Sequence, residues 1–180
     1  MITENRARKL ASAVPDPELP MVGIGELGIV REVNVADSQV TVVITPTYTA
    51  CPALETIEHD ITAALLEGGA AGVCLLRQLS PAWSTDWITP AAREKLERDG
   101  IAPPAAPGAG RVLISLTDLA ATAHTAHRPR CPQCASERTA EVSAFGSTAC
   151  KAHWRCRACG EPFDAIKTVQ HAADAPAGNP

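Results

Sequence analysis

The chain of 180 residues is long enough for one hydrophobic core and a small second unit. It has a formal net charge of −4 and only two Phe, three Trp and one Tyr, so aliphatic side chains must build most of its core. Its longest apolar run is far shorter than the roughly 20 residues that a membrane-spanning helix needs, and its polar start is unlike a secretory signal. These features predict a cytoplasmic protein without membrane contact.

Helices and strands alternate along the first hundred residues. The predicted helices have apolar residues at helical spacing, and the predicted strands are rich in β-branched residues. In chain order the elements are a helix over 4–14, an extended segment with three prolines, a hairpin of strands over 29–35 and 39–45, a helix over 52–66, a strand over 73–79 and a helix over 89–99. This order predicts an α+β domain over residues 1–101, in which helices cover one face of a small mixed sheet.

The remaining chain is predicted to consist of three parts. Residues 102–127 begin with a stretch rich in Pro, Ala and Gly, which is typical of a linker, and continue into a connecting strand over 111–116. Residues 128–168 contain two cysteine pairs and are predicted to form a β zinc ribbon. Residues 169–180 are again rich in Ala, Pro and Gly, and they are predicted to be a disordered tail.

The two Cys-x-x-Cys pairs are the strongest chemical signal in the chain. A two-residue spacer lets one turn present two sulfurs to one ion, and the 21 residues between the pairs (135–155) allow a hairpin with strands over 139–145 and 152–156. The predicted ligands of a structural Zn²⁺ ion are Cys131, Cys134, Cys156 and Cys159. A reducing cytosol disfavours disulfides. An iron–sulfur cluster uses the same four thiolates, so the spacing alone leaves zinc and iron both open.

Two further residues of this segment could contribute to metal binding. Cys150 and His153 lie inside the predicted hairpin, and either could replace one of the four ligands. Their position favours a role beside the metal site or at the surface.

Charge is divided unevenly along the chain. Residues 1–127 contain nine basic and fifteen acidic residues, whereas residues 128–168 contain seven basic and four acidic ones. A basic ribbon suggests nucleic-acid binding, because cationic side chains neutralise phosphates. The excess is small, however, and the acidic first domain would repel a polyanion. Nucleic acid is therefore the least favoured partner.

Cys51 lies between a predicted strand and a predicted helix. Pro52 suits the first helical position, so Cys51 falls at or next to the N-cap, where the helix dipole lowers the pKa of a thiol. Such a thiolate could be a nucleophile, a metal ligand or a contact of a cluster; the alternative is a small buried residue. Cys74, inside an apolar strand, is predicted to be an ordinary core residue. No Ser/His/Asp or Cys/His/Asn set is apparent, so no catalytic residue is predicted.

Trp83 and Trp87 lie four residues apart in a loop that precedes a predicted helix. They either cap the core or form an exposed aromatic anchor of the kind that is enriched at protein interfaces. They are the candidate docking site for a partner.

Several segments together resemble a known family. One group resembles the small domain shared by SufT-type and MIP-type iron–sulfur assembly proteins: Asp16-Pro17-Glu18-Leu19-Pro20, Leu27-Gly28-Ile29-Val30, Thr45-Pro46-Thr47 and Cys51-Pro52. A second group, at 81–87, 100–104, 145–151 and 161–164, narrows the resemblance to the PaaD (or PaaJ) family, the accessory subunits of the multicomponent phenylacetyl-CoA epoxidase. The resemblance extends from about residue 15 to residue 168.

The resemblance implies a non-catalytic accessory subunit that serves aerobic phenylacetate degradation. Such a subunit would assemble or deliver an Fe–S cluster or iron to the reductase or the di-iron oxygenase component. Cys51 matches the reactive cysteine of the family, and Asp16, Glu18 and Thr47 match its loop motifs. The implied cofactors are a structural Zn²⁺ ion in the ribbon and a transient cluster or iron ion at Cys51.

Two alternatives and the oligomeric state stay open at this point. The chain could be a structural or electron-transfer subunit of the oxygenase complex, with a redox cluster in the ribbon. It could also be a nucleic-acid-binding zinc-ribbon protein. A homodimer is compatible with the resemblance.

Overall fold

A computed structural model describes residues 2–48, 51–105 and 128–169. Within these ranges the helices are α1 (Glu4–Ala13), α2 (Leu54–Glu67) and α3 (Pro90–Arg98), with a short 3-10 helix at Thr85–Trp87. The strands are β1 (Pro15–Asp16), β2 (Leu19–Gly23), β3 (Val30–Ala36), β4 (Gln39–Ile44), β5 (Gly72–Arg77), β6 (Thr139–Ser143), β7 (Lys151–Cys156) and β8 (Pro162–Ile166). The predicted strand over 111–116 and nearly all of the predicted tail lie outside the described residues.

The first sheet has the order β3-β4-β5. β3 and β4 form an antiparallel hairpin whose turn residues, Asp37 and Ser38, have φ of 50° and 65°, as a two-residue turn matched to strand twist requires. β5 pairs parallel with β4, and α2 makes the crossover between them. The sheet is therefore mixed, and α1 and α2 pack together beside it. The predicted α+β class is confirmed.

The helices begin and end for local chemical reasons. The Thr3 side chain accepts a hydrogen bond from the amide of Arg6 at the start of α1 (3.3 Å), and the Thr89 side chain accepts one from Ala92 at the start of α3 (3.2 Å). Each bond satisfies a backbone donor that the first helical turn leaves free. Just past the end of α3, Gly100 has a φ of 79°, a conformation that glycine adopts without steric cost.

The proline-containing segment after α1 is more structured than its sequence predicts. Instead of a simple extended stretch, it forms a two-stranded hairpin of β1 and β2, in which Pro15 pairs with Gly23 and Asp16 with Leu19. Leu19 and Val22 enter the core. A sheet of only two short strands tolerates proline because few ladder hydrogen bonds are needed.

The C-terminal sheet has three antiparallel strands in the order β6-β7-β8. The hairpin of β6 and β7 lies where it is predicted, but β8 was not anticipated, because its five residues begin with Pro162 and resemble a loop. Phe163 and Ala165 of β8 are buried beside Trp154 of β7 in a small second core. The ribbon thus obtains apolar packing from the third strand in addition to any metal.

The ribbon sheet pairs with residues that were predicted to be linker. Ala102 pairs with Ala165 of β8: the amide of Ala102 donates to the carbonyl of Asp164 (2.9 Å), and the amide of Ile166 donates to the carbonyl of Ala102 (3.0 Å). Ala102 and Ala105 are each only 1% exposed. The prediction that the linker begins at residue 102 is therefore wrong for residues 102–105, because they lie against the ribbon.

The prediction that Cys74 is a core residue is also wrong. Its side chain is exposed. β5 is an edge strand, and its residues Val73 and Leu75 are the ones that pack against the core. Because successive side chains of a strand point to opposite faces, Cys74 lies on the uncovered face of the sheet.

The helices do not have the dimensions and polarity of membrane spans. Across the residues that the structure describes, none of them is both long and apolar enough to cross a bilayer.

Candidate metal centres

The four knuckle cysteines converge on one point. The sulfur atoms of Cys131, Cys134, Cys156 and Cys159 all lie within 4.8 Å of one another, with 3.7 Å between Cys131 and Cys159 and 3.6 Å between Cys134 and Cys156. Sulfurs that bind one ion at tetrahedral corners, with bonds of about 2.3 Å, lie about 3.8 Å apart. In a [4Fe–4S] cluster each thiolate binds a different iron and the sulfurs are spread further. The chain therefore has a metal site whose dimensions fit a single ion.

The two knuckles have the same backbone design. In each one, the amide of the first cysteine donates to a carbonyl five residues ahead (Cys131 to Ser136, 3.0 Å; Cys156 to Glu161, 2.8 Å). The residue after the second cysteine, Ala135 or Gly160, has a positive φ of 56° or 85°. Each turn thus directs two sulfurs to the same side, which a shared ion requires.

Hydrogen bonds prepare one of these thiols for metal binding. The amides of Cys159 and Ala158 donate to the sulfur of Cys156 (3.5 and 3.3 Å) and lower the pKa of Cys156 to about 6. The amide of Glu161 lowers the pKa of Cys159, but the contacts of its sulfur with those of Cys134, Cys156 and Cys131, together with partial desolvation, outweigh it and raise the pKa to about 12. One thiolate therefore forms readily at neutral pH, and metal binding would release protons from the others.

His153 does not belong to the group of four sulfurs. Its Nδ1 atom is 3.1 Å from Oδ1 of Asp164, its partner in the register of β7 and β8. Partial burial raises the pKa of Asp164, but hydrogen bonds with the Ser147 hydroxyl and with His153 outweigh this effect and hold the pKa below its usual value. This hydrogen bond connects His153 on β7 to Asp164 on β8.

Cys51 lies in a turn ahead of α2, and two expectations about it need correction. The helix begins at Leu54 with Ala53 at the N-cap, so Cys51 precedes the cap by two residues. Its pKa is raised rather than lowered, mainly by burial and further by the carboxylates of Glu18 and Asp16, although the amides of Ala53 and Leu54 oppose this. The Cys51 thiol is therefore protonated at neutral pH unless a cation is bound.

Asp16 and Glu18 belong to the tight turn between β1 and β2. Asp16 is 7% exposed, and its Oδ1 atom accepts a hydrogen bond from the amide of Glu18 (2.8 Å). Burial and the Glu18 carboxylate raise the pKa of Asp16. Since both carboxylates also act electrostatically on Cys51, three of the four residues that the resemblance implies lie within electrostatic range of one another.

The fourth of these residues, Thr47, lines a cavity of about 190 Å³. Thr45, Tyr48, Trp83 and Val169 also line this cavity. Among the described residues, the Thr45 hydroxyl is the buried side-chain group without a hydrogen-bond partner. Thr47 is thus placed in a cavity wall, which its motif alone did not reveal.

Trp83 is not an exposed anchor. It is 5% exposed, and its indole Nε1 donates a hydrogen bond to the carbonyl of Leu27 (2.8 Å). Trp87 is half-buried, with the guanidinium of Arg31 3.5 Å from its ring centroid. The core-capping interpretation therefore describes Trp83, and the docking hypothesis stays a prediction for Trp87 alone.

Cys150 is the residue that sequence reasoning missed at the Cys51 site. Its sulfur lies 3.8 Å from Oε2 of Glu18, although 132 residues separate the two in sequence. Burial and the carboxylates of Glu18 and Asp16 raise its pKa, as they do for Cys51. No spacing pattern could reveal this contact, because it depends on how the ribbon packs against the first domain.

An α+β domain with a carboxylate-flanked thiol, joined to a four-cysteine ribbon, defines a metal-binding protein of two modules. The comparisons with known proteins agree. Residues 8–73 match the family described as iron–sulfur cluster assembly protein, and residues 117–167 match the PaaD zinc beta ribbon domain.

Known relatives identify the family more narrowly. A protein of Escherichia coli (strain K12), named provisionally as one of the subunits of 1,2-phenylacetyl-CoA epoxidase, is 44% identical over 160 residues, 89% of this chain and 90% of that protein. The chain therefore belongs to the PaaD family, as its motifs suggested. An Fe-S protein maturation auxiliary factor of Porphyromonas gingivalis (strain ATCC BAA-308 / W83) is 33% identical over 96 residues, 52% of this chain and 90% of that protein.

Two solved structures are also similar to part of the chain. One is a domain of unknown function, DUF59, from Bacillus anthracis, with 27% identity and a TM-score of 0.48 over 52% of this chain and 90% of that one. The other is a conserved hypothetical protein from Thermotoga maritima, with 27% identity and a TM-score of 0.46 over 53% of this chain and 94% of that one.

Proposed function

We propose that this chain is a non-catalytic accessory subunit of a phenylacetyl-CoA epoxidase system, which assembles or delivers an Fe–S cluster or iron to its reductase or di-iron oxygenase component. The observation that carries the proposal is the coverage of the relatives. The chain matches a protein named as an epoxidase subunit over 90% of that protein, and its first domain matches an Fe-S protein maturation factor over 90% of that one. Membership of both groups favours a maturation role within the epoxidase system.

The chemistry of the Cys51 loop supports this proposal. A thiol whose pKa is raised is a poor nucleophile at neutral pH, but a bound cation deprotonates a coordinating thiol. Beside the carboxylates of Asp16 and Glu18, Cys51 is suited to hold a metal ion and to release it. The nearest histidine in sequence, His59, is 81% exposed and pairs with Asp60, so it supports no base-catalysed reaction at Cys51.

In the same proposal the ribbon holds zinc and stabilises the fold. Four thiolates at tetrahedral spacing are the usual ligands of structural zinc. Cys131, Cys134, Cys156 and Cys159 would hold the ion, and its role there is to crosslink the two knuckles. The electron-transfer alternative places a redox cluster in the ribbon, and a multi-iron cluster would hold the four sulfurs further apart than they lie here.

Two of the seven basic residues of the ribbon are turned inward, whereas its five arginines are exposed. Lys151 is 5% exposed, and its Nζ donates to the Glu18 carbonyl and the Ser147 hydroxyl. Lys167 donates to the carbonyl of Ala149 (2.8 Å) and lies over the ring of Phe145. These two positive charges are engaged within the chain rather than presented to phosphates.

The first test replaces Cys51 by serine in cells that produce the epoxidase components. The Cys51→Ser variant is expected to fold and to retain zinc, because Cys51 lies outside the ribbon and is only half-buried. Reductase or oxygenase purified from these cells should contain markedly less Fe–S cluster or iron, as measured by metal analysis and visible absorbance.

The matched control is Cys74→Ser, which removes an exposed thiol of the same domain. It should support full metal loading of both components. Fully loaded and active components from the Cys51→Ser strain would contradict the proposed function.

A further inference from the structure

Cys150 is presented to the first domain by the turn between β6 and β7. Its sulfur lies 3.8 Å from Oε2 of Glu18 and 3.0 Å from Oγ1 of Thr148. It is the one cysteine of the ribbon outside the two knuckles, so the structural metal does not account for its position.

Contacts on both sides hold Cys150 in place. The buried Lys151 donates to the carbonyl of Glu18 (3.4 Å), which fastens the ribbon turn to the turn between β1 and β2. From β8, the amide of Lys167 donates to the carbonyl of Cys150 (2.9 Å). Because a buried ammonium group is costly unless it is paired, the contact at Lys151 is expected to persist in solution.

The same two carboxylates act on both thiols. Asp16 and Glu18 influence Cys51, from the loop ahead of α2, and Cys150, from the ribbon. Cys150 thus contacts the turn that carries these two carboxylates, and Cys51 lies within electrostatic range of the same turn. Lys151 lowers the pKa of Asp16 and of Cys150 and so offsets part of the repulsion among these groups. A bound cation would offset the rest.

We propose that Cys150 joins Cys51, Asp16 and Glu18 to bind one iron(II) ion across the boundary between the two modules. This inference rests on the proposed function, because it names the ligands of the iron that Cys51 would carry. Thiolates with carboxylates are a mixed soft and hard donor set that suits a divalent transition metal. Clusters typically take four cysteines, and this site has two.

The geometry distinguishes this site from the ribbon. Among the described residues, only the four knuckle cysteines form a group of three or more potential ligands whose donor atoms all lie within 4.8 Å of one another. The donors of Cys51, Cys150, Asp16 and Glu18 are spread more widely than this. The four donors around Cys150 are therefore more open, and they must close on an ion. An open site binds more weakly than a preformed one, as delivery of the ion to another protein requires.

The first test is anaerobic iron(II) titration of the full-length, zinc-loaded chain against a competing chelator. The wild type and the control Cys74→Ser should bind one iron(II) ion per chain. Cys51→Ser and Cys150→Ser should each weaken binding by about tenfold or more, since even loss of a residue that only supports a ligand costs about 10–100-fold. Cys150→Ser with wild-type affinity, or a wild type that binds no iron(II), would overturn the inference.

The second test needs no variant and so does not depend on folding of a mutant. Both thiols react slowly because their pKa is raised, so anaerobic iodoacetamide labelling is continued until both are modified in the iron-free chain. Peptide mass spectrometry should then show that iron(II) slows the labelling of both Cys51 and Cys150, and leaves Cys74 as reactive as before. Protection of Cys51 alone would remove Cys150 from the site.

Failure of this inference can be distinguished from failure of the proposed function. If Cys150→Ser loads the epoxidase components normally and Cys51→Ser does not, only the ligand role of Cys150 is lost. If both variants load them normally, the proposed function itself is wrong.

Discussion

Ala135 and Gly160 occupy equivalent positions in the two knuckles, yet their chemistry differs. Both have positive φ, at 56° and 85°, but only glycine adopts this region without a clash between Cβ and the backbone. A Cβ atom added at Gly160 would meet nothing within 4 Å. Substitution there therefore reports backbone strain rather than crowding.

Opposite substitutions at these two residues should have opposite effects. Gly160→Ala should destabilise the metal-bound ribbon by about 1–2 kcal/mol, and Ala135→Gly should relieve a strain of similar size, less the entropy that glycine adds to the unfolded chain. Urea denaturation of the zinc-loaded protein, followed by the release of zinc to a chelating dye, measures both. The control is Gly69→Ala, in the first domain. Gly69 also has a positive φ, 97°, and open space around an added Cβ, so this variant introduces a similar backbone strain outside the ribbon. Equal stability of the wild type and Gly160→Ala would contradict this account.

Some features of the candidate sites could be predicted from the sequence and others could not. The knuckle ligands follow from spacing, because one turn supplies two sulfurs wherever it occurs. The position of Cys51 ahead of a helix was also predictable. The direction of its pKa was not, since it depends on burial and on Glu18 and Asp16, which folding brings from more than thirty residues away.

Elements with strong local signals were predicted closely. α1, α3 and the hairpin of β3 and β4 agree with their predicted bounds within two residues, because caps, periodicity and turn residues are properties of a short stretch. β1, β2 and β8 were missed. They are short and contain proline, and they are strands because of what packs against them.

Glu26 connects two of these elements. It follows β2, and its Oε2 atom accepts hydrogen bonds from the amide of Gly23 (3.0 Å) and from Nζ of Lys95 on α3 (2.6 Å). The hydrogen bond from Lys95 is the main reason that the pKa of Glu26 is below its usual 4.5. Partial burial raises this pKa, and the hydrogen bond from the Gly23 amide lowers it further. The charge on Glu26 therefore stabilises the packing of α3.

The pH dependence of this contact can be stated with its sign. Because the pKa of Glu26 is lower in the folded state, the stabilisation is complete above its unfolded value and is lost as the pH falls through the folded value. Glu26→Gln should cost up to about 1 kcal/mol at pH 7, as for a partly exposed ion pair, and the difference should close below pH 4.5. Thermal unfolding between pH 7 and pH 3.5 measures this. The stability difference between Lys95→Met and the wild type should likewise disappear as the pH falls. A stability difference that does not change with pH would exclude the ion pair as its cause.

At the scale of the whole molecule, the ribbon and the first domain share one boundary. Ile166 of β8 belongs to the core of the first domain, and the Val169 carbonyl accepts a hydrogen bond from the amide of Thr85 (2.9 Å). The sequence suggested two modules separated by a linker, because composition marks a proline-rich stretch but not the strand pairing at Ala102. The contact between the modules is thus a property of the folded chain alone.

Removal of the structural metal should therefore affect both modules. A strong chelator at neutral pH is expected to unfold β6–β8, since a four-thiolate ion supplies much of a ribbon's folding free energy. Hydrogen exchange should show loss of protection throughout the ribbon and at the Thr85 amide, with β3 and β4 still protected. Readdition of zinc should restore the original pattern. Protection at Thr85 that is unchanged while the ribbon unfolds would contradict coupling through Val169.

The pairing of Ala102 with Ala165 has a consequence for chain connectivity. Backbone hydrogen bonds and buried side chains attach residues 102–105 to the ribbon at β8. A continuous peptide is then not needed to keep the halves together. Two polypeptides, 1–105 and 128–180, are expected to reassociate when they are co-expressed, so that the protein could be studied by fragment complementation, with each half labelled separately.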